Sequence, residues 1–92
     1  MLMRVASLTR TASLAGAIAN HLRQGGEELA LQAIGAAATN QAVKALATAR
    51  DFLAVEGITF TISARWVDVN GLDGGGHVSA LRFDVRMDGG VG

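Results

Sequence analysis

Apolar and polar residues alternate most regularly in the second half of the chain. From Ile58 to Trp66 every second residue is apolar, and the residues between them are threonine, serine or arginine. Residues 78–87 alternate in the same way over most of their length. A period of two predicts two β-strands, each with one apolar and one solvated face. The glycine-rich stretch 70–77 predicts a turn, so the two strands should pair as an antiparallel hairpin.

The first half of the chain predicts two more strands, each followed by a helix. The apolar runs Leu2–Ser7 and Glu28–Ile34 are typical of short strands, and the second has few polar residues, as expected of a central strand. Leu14, Ile18 and Leu22 recur at four-residue spacing. This spacing predicts an amphipathic helix between the two strands.

A second helix is predicted over Thr39–Val55, after a tight turn that Gly35 permits. Its polar residues recur at three- and four-residue spacing and leave one solvated stripe. Both helices have side chains that could accept hydrogen bonds from the first free N–H groups. These candidate caps are Thr11 or Ser13 for the first helix and Thr39 or Asn40 for the second.

The element order β-α-β-α-β-β predicts an α+β fold. We expect a two-layer sandwich in which two helices pack on one face of a mixed four-stranded sheet, with the first two strands parallel. The pattern leaves other two-layer α+β arrangements open. The alternation changes phase at Val67 and Val69, which predicts either a β-bulge or an edge where both faces of the strand become covered. The predicted core consists of Ile18, Leu22, Leu31, Val43, Leu46, Phe60, Ile62, Leu81 and Phe83.

Length and composition limit the chain to one domain. A chain of 92 residues has enough apolar surface for one modest core. We therefore expect a single domain over residues 1–88 and a flexible tail at 89–92. Many of the apolar residues are alanine, so the core should rely on close approach of the backbones. The chain has no cysteine, which excludes disulfides and fits a reducing, cytoplasmic compartment.

Positive charge is concentrated near the N-terminus, although the net charge is zero. Zero net charge argues against a strongly basic coat protein of nucleic acid. Residues 1–26 hold three arginines and no acidic residue, as a targeting peptide would. Their apolar part is short, however, and is better explained by the amphipathic helix. No run of about 20 apolar residues is present, so no membrane span is expected.

Catalytic, metal and cofactor sites are not expected. Glycines 74–76 lack the strand–loop–helix context and the following lysine of a phosphate-binding loop, so a hairpin tip is the favoured interpretation. His21 and His77 do not form a zinc motif. No local nucleophile motif is present. We therefore expect that the protein is not an enzyme and uses no metal or cofactor.

The two helix starts are the best candidate for a binding site. If the first two strands are parallel, both helices begin beyond the same edge of the sheet, where free N–H groups favour anions. Capping and solvation alone also explain the residue types found there, so a purely structural role stays open. We name the five residues expected to converge the helix-start edge: Arg10, Ser13, Asn40, Gln41 and Lys44.

The central stretch of the chain resembles a known family. Residues 32–50, QAIGAAATNQAVKALATAR, are similar to the central motif of the stage V sporulation protein S family. The run SLAGAIA at residues 13–19 resembles that family's first helix. The resemblance covers residues 5–53. It implies an Alba-like fold and a small, bacterial, cytoplasmic regulator of sporulation and cell division that binds nucleic acid.

Two classes of function follow. The first is a non-enzymatic regulator that binds nucleic acid weakly and with little sequence dependence, through the helix-start edge and the solvated strand residues Arg65, Arg82 and Arg86. The second is a protein-interaction module, a homodimer or higher homo-oligomer, that binds no nucleic acid. Self-association is expected because a small core and a wide alanine-rich helix surface leave apolar area for a second copy to cover.

Overall fold

The computed structural model describes residues 1–25, 28–70 and 76–88, which form strands and helices in the predicted order. The elements are β1 (Leu2–Val5), α1 (Thr11–Arg23), β2 (Leu29–Ala33), α2 (Ala36–Ala54), β3 (Phe60–Asn70) and β4 (His77–Met87). Glycines 74 and 75 and the predicted tail at 89–92 lie outside the described residues. No helix in the described ranges is long and apolar enough to cross a membrane.

The strands form one mixed sheet in the order β1-β2-β4-β3. β1 and β2 are parallel, whereas β4 pairs antiparallel with both β2 and β3. α1 connects the two parallel strands, and α2 packs against α1, β1 and β2. The predicted α+β fold, with parallel first strands and a C-terminal hairpin, is confirmed.

β3 is an edge strand with a regular register. It pairs with β4 continuously, from Phe60 opposite Met87 to Asn70 opposite His77. One residue faces one residue throughout, so the ladder has no room for the extra residue of a bulge. The edge position is confirmed and the bulge is wrong. The expected cover on both faces is also wrong, because Val67 and Val69 are only half-buried and Trp66, on the other face, is 70% exposed.

β1 ends at Val5, earlier than the predicted end at Ser7. The chain turns immediately after the strand, because two hydrogen bonds join Ala6 and Thr9. The N–H of Ala6 donates to Thr9 Oγ1 at 2.8 Å, and the N–H of Thr9 donates to the carbonyl oxygen of Ala6 at 3.1 Å. This turn directs the chain towards the start of α1.

Neither helix has a side-chain cap. The N-cap residues are Arg10 for α1 and Gly35 for α2, and neither cap makes a side-chain hydrogen bond. α2 starts before the predicted Thr39 because Ala36–Ala38 strongly favour helix and Gly35, with φ of 88°, makes the turn before them. The Thr39 hydroxyl lies inside the helix and donates to the Gly35 carbonyl oxygen at 2.8 Å. The predicted caps at Thr11, Ser13, Thr39 and Asn40 are therefore wrong.

The core lies between the helices and the sheet, and alanine lines the contact between the two helices. Ala15, Ala19, Ala42, Ala45 and Ala49 are fully buried, which lets α1 and α2 approach closely. The predicted core residues found buried are Ile18, Leu22, Leu31, Leu46, Phe60 and Phe83, and Leu81 is half-buried against them.

Two predicted core residues are exposed instead. Val43 on α2 is 49% exposed and Ile62 on β3 is 37% exposed. The sheet continues sideways beyond the helices, since α2 packs chiefly on β1 and β2, whereas β3 lies at the far edge. The helix-facing side of the β3–β4 hairpin is therefore only partly covered. The core assignment of Val43 and Ile62 is wrong for this reason.

Candidate nucleic-acid interface

The helix-start edge lies at the carboxyl ends of the two parallel strands. Val5 and Ala33, the last residues of β1 and β2, are directly paired. Thr11 and Ala36, the first helical residues, follow these strand ends after short connections. The topological part of the prediction is therefore confirmed: both helices begin beyond the same edge of the sheet.

Gln41 ties the two helix starts together. Its side-chain Nε2 donates to the carbonyl oxygen of Thr9 at 2.7 Å, in a partly buried position. This bond fixes the loop after β1 against the second turn of α2. Because Arg10 directly follows Thr9, the same bond positions Arg10 beside α2. Gln41 therefore has a structural role at this edge, and its amide nitrogen is already engaged.

The other residues of the helix-start edge are exposed. Asn40 and Lys44 lie one turn apart on α2, and Ser13 lies in the first turn of α1. Within the described ranges, neither Arg10 nor Lys44 forms an ion pair. The structure thus leaves both cations open to a solvent-borne anion. The role of all five residues in binding stays a prediction.

Backbone groups add to the positive potential of this edge. The first helical hydrogen bonds run from Leu14 N to Arg10 O and from Thr39 N to Gly35 O. The N–H groups of residues 11–13 and 36–38 precede these bonds and have no helical acceptor. Neither helix has an acidic residue in its first turn. The positive ends of both helix dipoles are therefore not neutralised by the chain itself.

The second set of predicted cations lies on the face of the sheet that no helix covers. Arg65 and Arg82 are directly opposite each other on β3 and β4. The Nε of each donates to Asp84, Arg65 to Oδ2 and Arg82 to Oδ1, both at 3.0 Å. The bond from Arg65 and the weaker effect of Arg82 lower the pKa of the Asp84 carboxyl below its usual value, against partial burial, which raises it. Arg86 is exposed on the same strand.

The incompletely covered side of the hairpin forms an apolar groove beside α2. Two adjoining cavities of about 700 Å³ and about 340 Å³ make up this groove, and both contact Val43. Trp66, the one tryptophan of the chain, lines the larger cavity and is 70% exposed. The apolar groove is lined mainly by Val43, Leu46, Ala47, Ile62, Trp66, Leu81 and Phe83.

Sequence reasoning did not identify two residues that organise these surfaces. Thr9 closes the turn after β1 and accepts the Gln41 bond, and only its position in a loop before a helix hinted at this. Arg4 lies on the face of the sheet that no helix covers, which we call the open face, in register with Gln32. A lone charge in an otherwise apolar strand is the signal that could have identified it.

Among the described residues, no three His, Cys, Asp or Glu side chains are grouped to hold a metal.

Comparison with known proteins agrees with the fold and assigns the family. The structure resembles Alba from Thermoplasma volcanium with a TM-score of 0.63 and 15% sequence identity, over 92% of this chain and 98% of that one. At this identity the likeness supports a shared fold, and the Alba-like architecture is confirmed. The family model for stage V sporulation protein S matches residues 1–88, nearly the whole chain. The chain belongs to the stage V sporulation protein S family.

Proposed function

We propose that this protein is a non-enzymatic regulator that binds nucleic acid through the phosphates, weakly and with little dependence on sequence. The observation that carries the proposal is the helix-start edge, where two uncapped helix N-termini meet beside Arg10 and Lys44. The family name supports a role in sporulation, and the structural neighbour supports a fold that Alba also uses. A cytoplasmic location belongs to the proposal, because the nucleic acid of a bacterial cell is there.

The chemistry of the edge suits phosphate. Backbone N–H groups at a helix start and the positive end of the dipole both favour an anion. Arg10 supplies a planar fork of donors and Lys44 a compact charge, and both residue types bind phosphate oxygens. Contacts to phosphate fix the position of a nucleic acid but carry no base information. Binding through this edge should therefore tolerate any sequence.

The same chemistry predicts weak binding. Each phosphate contact to a single strand contributes about 0.7 to the slope of log affinity against log salt. Arg10 and Lys44 together would contribute about 1.4, which is small beside proteins that make six or more such contacts. The zero net charge of the chain adds no long-range attraction. We expect measurable binding at low salt and little at high salt.

The test is a salt titration of the parent chain and the double variant Arg10→Ala/Lys44→Ala. Fluorescence anisotropy of a labelled random-sequence single-stranded DNA gives the affinity at several salt concentrations. The parent should bind at low salt, and the variant should bind less and show a flatter salt dependence. Equal binding by both proteins would refute the assignment of the site.

A matched control separates a site from a general loss of charge. Lys44→Ala and Arg23→Ala each remove one positive charge from an exposed helix position. Arg23 lies at the C-terminal end of α1 and pairs with Glu56 at 2.8 Å. Only Lys44→Ala should weaken binding appreciably. Thermal melting of each variant should stay near that of the parent, because exposed substitutions change stability by roughly 0.5 kcal/mol.

A second candidate function is a homo-oligomeric interaction module that binds no nucleic acid. The observation that favours it is the apolar groove, in which Val43, Ile62 and Trp66 are exposed together. A twofold axis would bring the same groove of two chains together, so that the apolar side chains of each copy cover those of the other. We propose a homodimer formed through this groove. Sedimentation of the parent at increasing concentration tests it, and a monomer throughout would refute it.

A further inference from the structure

The open face of the sheet carries a row of arginines that crosses strands far apart in sequence. The pairing register sets Arg4 opposite Gln32, Gln32 opposite Arg82, and Arg82 opposite Arg65. Because adjacent strands lie about 4.8 Å apart, the row spans roughly 14 Å across the sheet. Arg86 lies on the same face, opposite Thr61. We name Arg4, Arg65, Arg82 and Arg86 the open-face arginines.

The central pair of this row is held in place by an acidic residue. Like charges directly opposite each other on adjacent strands destabilise a sheet, and Arg65 and Arg82 are so placed. Asp84 offsets this repulsion by accepting one Nε–H bond from each of them. A guanidinium has five N–H donors, so each arginine keeps its two terminal NH₂ groups for a ligand. The network therefore orients two guanidinium groups and leaves their terminal N–H donors available.

The charge of the open face remains positive after these bonds are counted. Arg4 and Arg86 have no acidic partner in the described part of the chain. The carboxylates on this side are Glu28, Asp84 and Asp88. Glu28 lines the same cavity as Arg82 and Arg86, and Asp88 accepts a hydrogen bond from Thr61. Four arginines therefore face three carboxylates, which leaves one positive charge in excess. An anion would supply the missing negative charge.

The face is also concave beside the arginines. A cavity of about 400 Å³ is lined in part by Ala30, by Arg82 and Arg86, and by the carboxylates Glu28 and Asp84. Ala30 is only 3% exposed although no helix packs on this face. A methyl group between long side chains leaves a depression in which the arginine donors can reach a bound group from the side. This shape favours an extended ligand lying along the surface.

We propose that the open face of the sheet is a second contact surface for the sugar-phosphate backbone of a nucleic-acid strand. The proposal rests on the proposed function for its class of ligand, but on different residues. Free guanidinium forks match phosphate oxygens in geometry and charge. Arg4 is the residue before Val5, where β1 ends at the helix-start edge. A nucleic-acid strand bound at the helix-start edge can therefore continue over the open face and remain in a region of positive potential.

The same face holds no tryptophan, tyrosine or phenylalanine among the described residues of the strands, because the aromatic strand residues Phe60, Trp66 and Phe83 all lie in the opposite, helix-facing register. The aromatic side chains on which most single-strand readers stack bases are therefore absent from the described part of this surface. Contact is therefore through phosphate, and no base preference is expected.

The experiment compares two double variants that remove the same charge from the two surfaces. Arg4→Ala/Arg65→Ala takes one arginine from each end of the row and leaves Asp84 paired with Arg82. Arg10→Ala/Lys44→Ala takes two cations from the helix-start edge. Each is titrated with a labelled random-sequence single-stranded DNA of 20 nucleotides at several salt concentrations. Thermal melting checks that both variants are folded, and Arg4→Ala alone, at an exposed edge-strand position, serves if the double variant is not.

The open-face variant should lose about 1.4 of the salt slope, which corresponds to a loss of affinity on the order of 50-fold at 50 mM salt. The Arg4→Ala variant should lose about half of that slope. An open-face variant that binds as the parent does, while the helix-start variant is weakened, overturns this inference and leaves the proposed function intact. The reverse result supports the open face and moves the binding site away from the helix-start edge.

Two further outcomes also decide the matter. A parent chain that binds no oligonucleotide at low salt overturns both proposals. A parent that ignores the oligonucleotide but binds polyglutamate, with affinity lost in the open-face variant, would assign this surface to an acidic polypeptide instead. Loss of oligonucleotide affinity in the folded open-face variant, with a flatter salt slope, supports the assignment to a nucleic-acid backbone.

Discussion

Trp66 provides the sharpest test of self-association, because it is the most exposed of the large apolar side chains in the apolar groove. Its exposed fraction is 70%, and a tryptophan buries about 150–250 Å² when covered. Covering the exposed part at about 25 cal/mol per Å² gives an upper limit of about 3–4 kcal/mol per side chain. Part of this is lost to ordering and imperfect packing, so truncation should cost about 2 kcal/mol, as for a typical interface hot spot.

A twofold dimer contains this tryptophan twice. Trp66→Ala should therefore weaken the dimer by about 4 kcal/mol, or roughly 1000-fold in dissociation constant. Analytical ultracentrifugation over a wide concentration range measures this shift. The tryptophan emission of the parent should also move to shorter wavelength as concentration rises, because the indole leaves water.

Val55→Ala is the matched control. Val55 is 89% exposed and follows the C-terminal end of α2, outside the groove. This substitution should change the dissociation constant by no more than about twofold, as expected for an ordinary surface position. If Trp66→Ala and the parent sediment alike, the groove is not the interface. If both substitutions weaken the dimer equally, the interface lies elsewhere or is non-specific.

Three predictions concern folding and stability. Phe83→Ala should lower the free energy of unfolding by about 3–5 kcal/mol, because removal of a buried aromatic ring leaves a cavity. A denaturant melt that matches that of the parent would show that the ring does not pack in the core. Gly35→Ala should destabilise the fold by about 1–3 kcal/mol, because Gly35 has φ of 88° and ψ of 164°, a conformation that strains a residue with a side chain. Gly16→Ala, in the interior of α1, should instead stabilise the fold by about 0.5–1 kcal/mol. An added Cβ meets no atom within 4 Å at either position, so equal effects would contradict the role of backbone strain. The pKa of Asp84 is lowered in the folded chain, so its contribution to stability is present above the unfolded pKa and is lost as pH falls through the folded pKa. Asp84→Asn should therefore lower the melting temperature at pH 7 and reduce the difference in melting temperature between pH 7 and pH 3. A variant whose melting temperature parallels that of the parent at both pH values would refute this.

Local pattern predicted the elements well, because each period reports on one face of one element. The alternation from Ile58 to Trp66 identified β3 and its partner strand, and the four-residue apolar spacing identified α1. Burial was less predictable. Whether Ile62 and Val43 are covered depends on how far the helices extend across the sheet, which is a tertiary relation that no local period contains.

The helix starts show a second limit of sequence reasoning. Thr39 is a good capping residue, but the alanines before it have higher helix propensity and Gly35 makes the turn, so its hydroxyl lies inside α2. Propensity of the preceding residues outweighed the presence of a cap. The run Ala36–Ala38 directly after Gly35 is the sequence signal for the earlier helix start.

The candidate site was predictable in its topology but not in its details. Parallel pairing of β1 and β2 follows from the strand–helix–strand order, and it places both helix starts at one edge. The bond from Gln41 to Thr9 depends on the turn after β1, whose hydrogen bonds involve backbone and side chain together. The arginine row depends on the registers of three strand pairs. Registers between distant strands are set by packing and cannot be obtained from one strand at a time.

The salt dependence of oligonucleotide binding by the parent chain tests the central claim most directly. A random-sequence single-stranded DNA is titrated at salt concentrations between 20 mM and 300 mM, and log affinity is plotted against log salt. Contacts from Arg10 and Lys44 predict a linear fall with a slope of about −1.4, steepening to about −2.8 if Arg4 and Arg65 also contact phosphate. A slope near zero, or no binding at the lowest salt concentration, would contradict phosphate recognition by this protein.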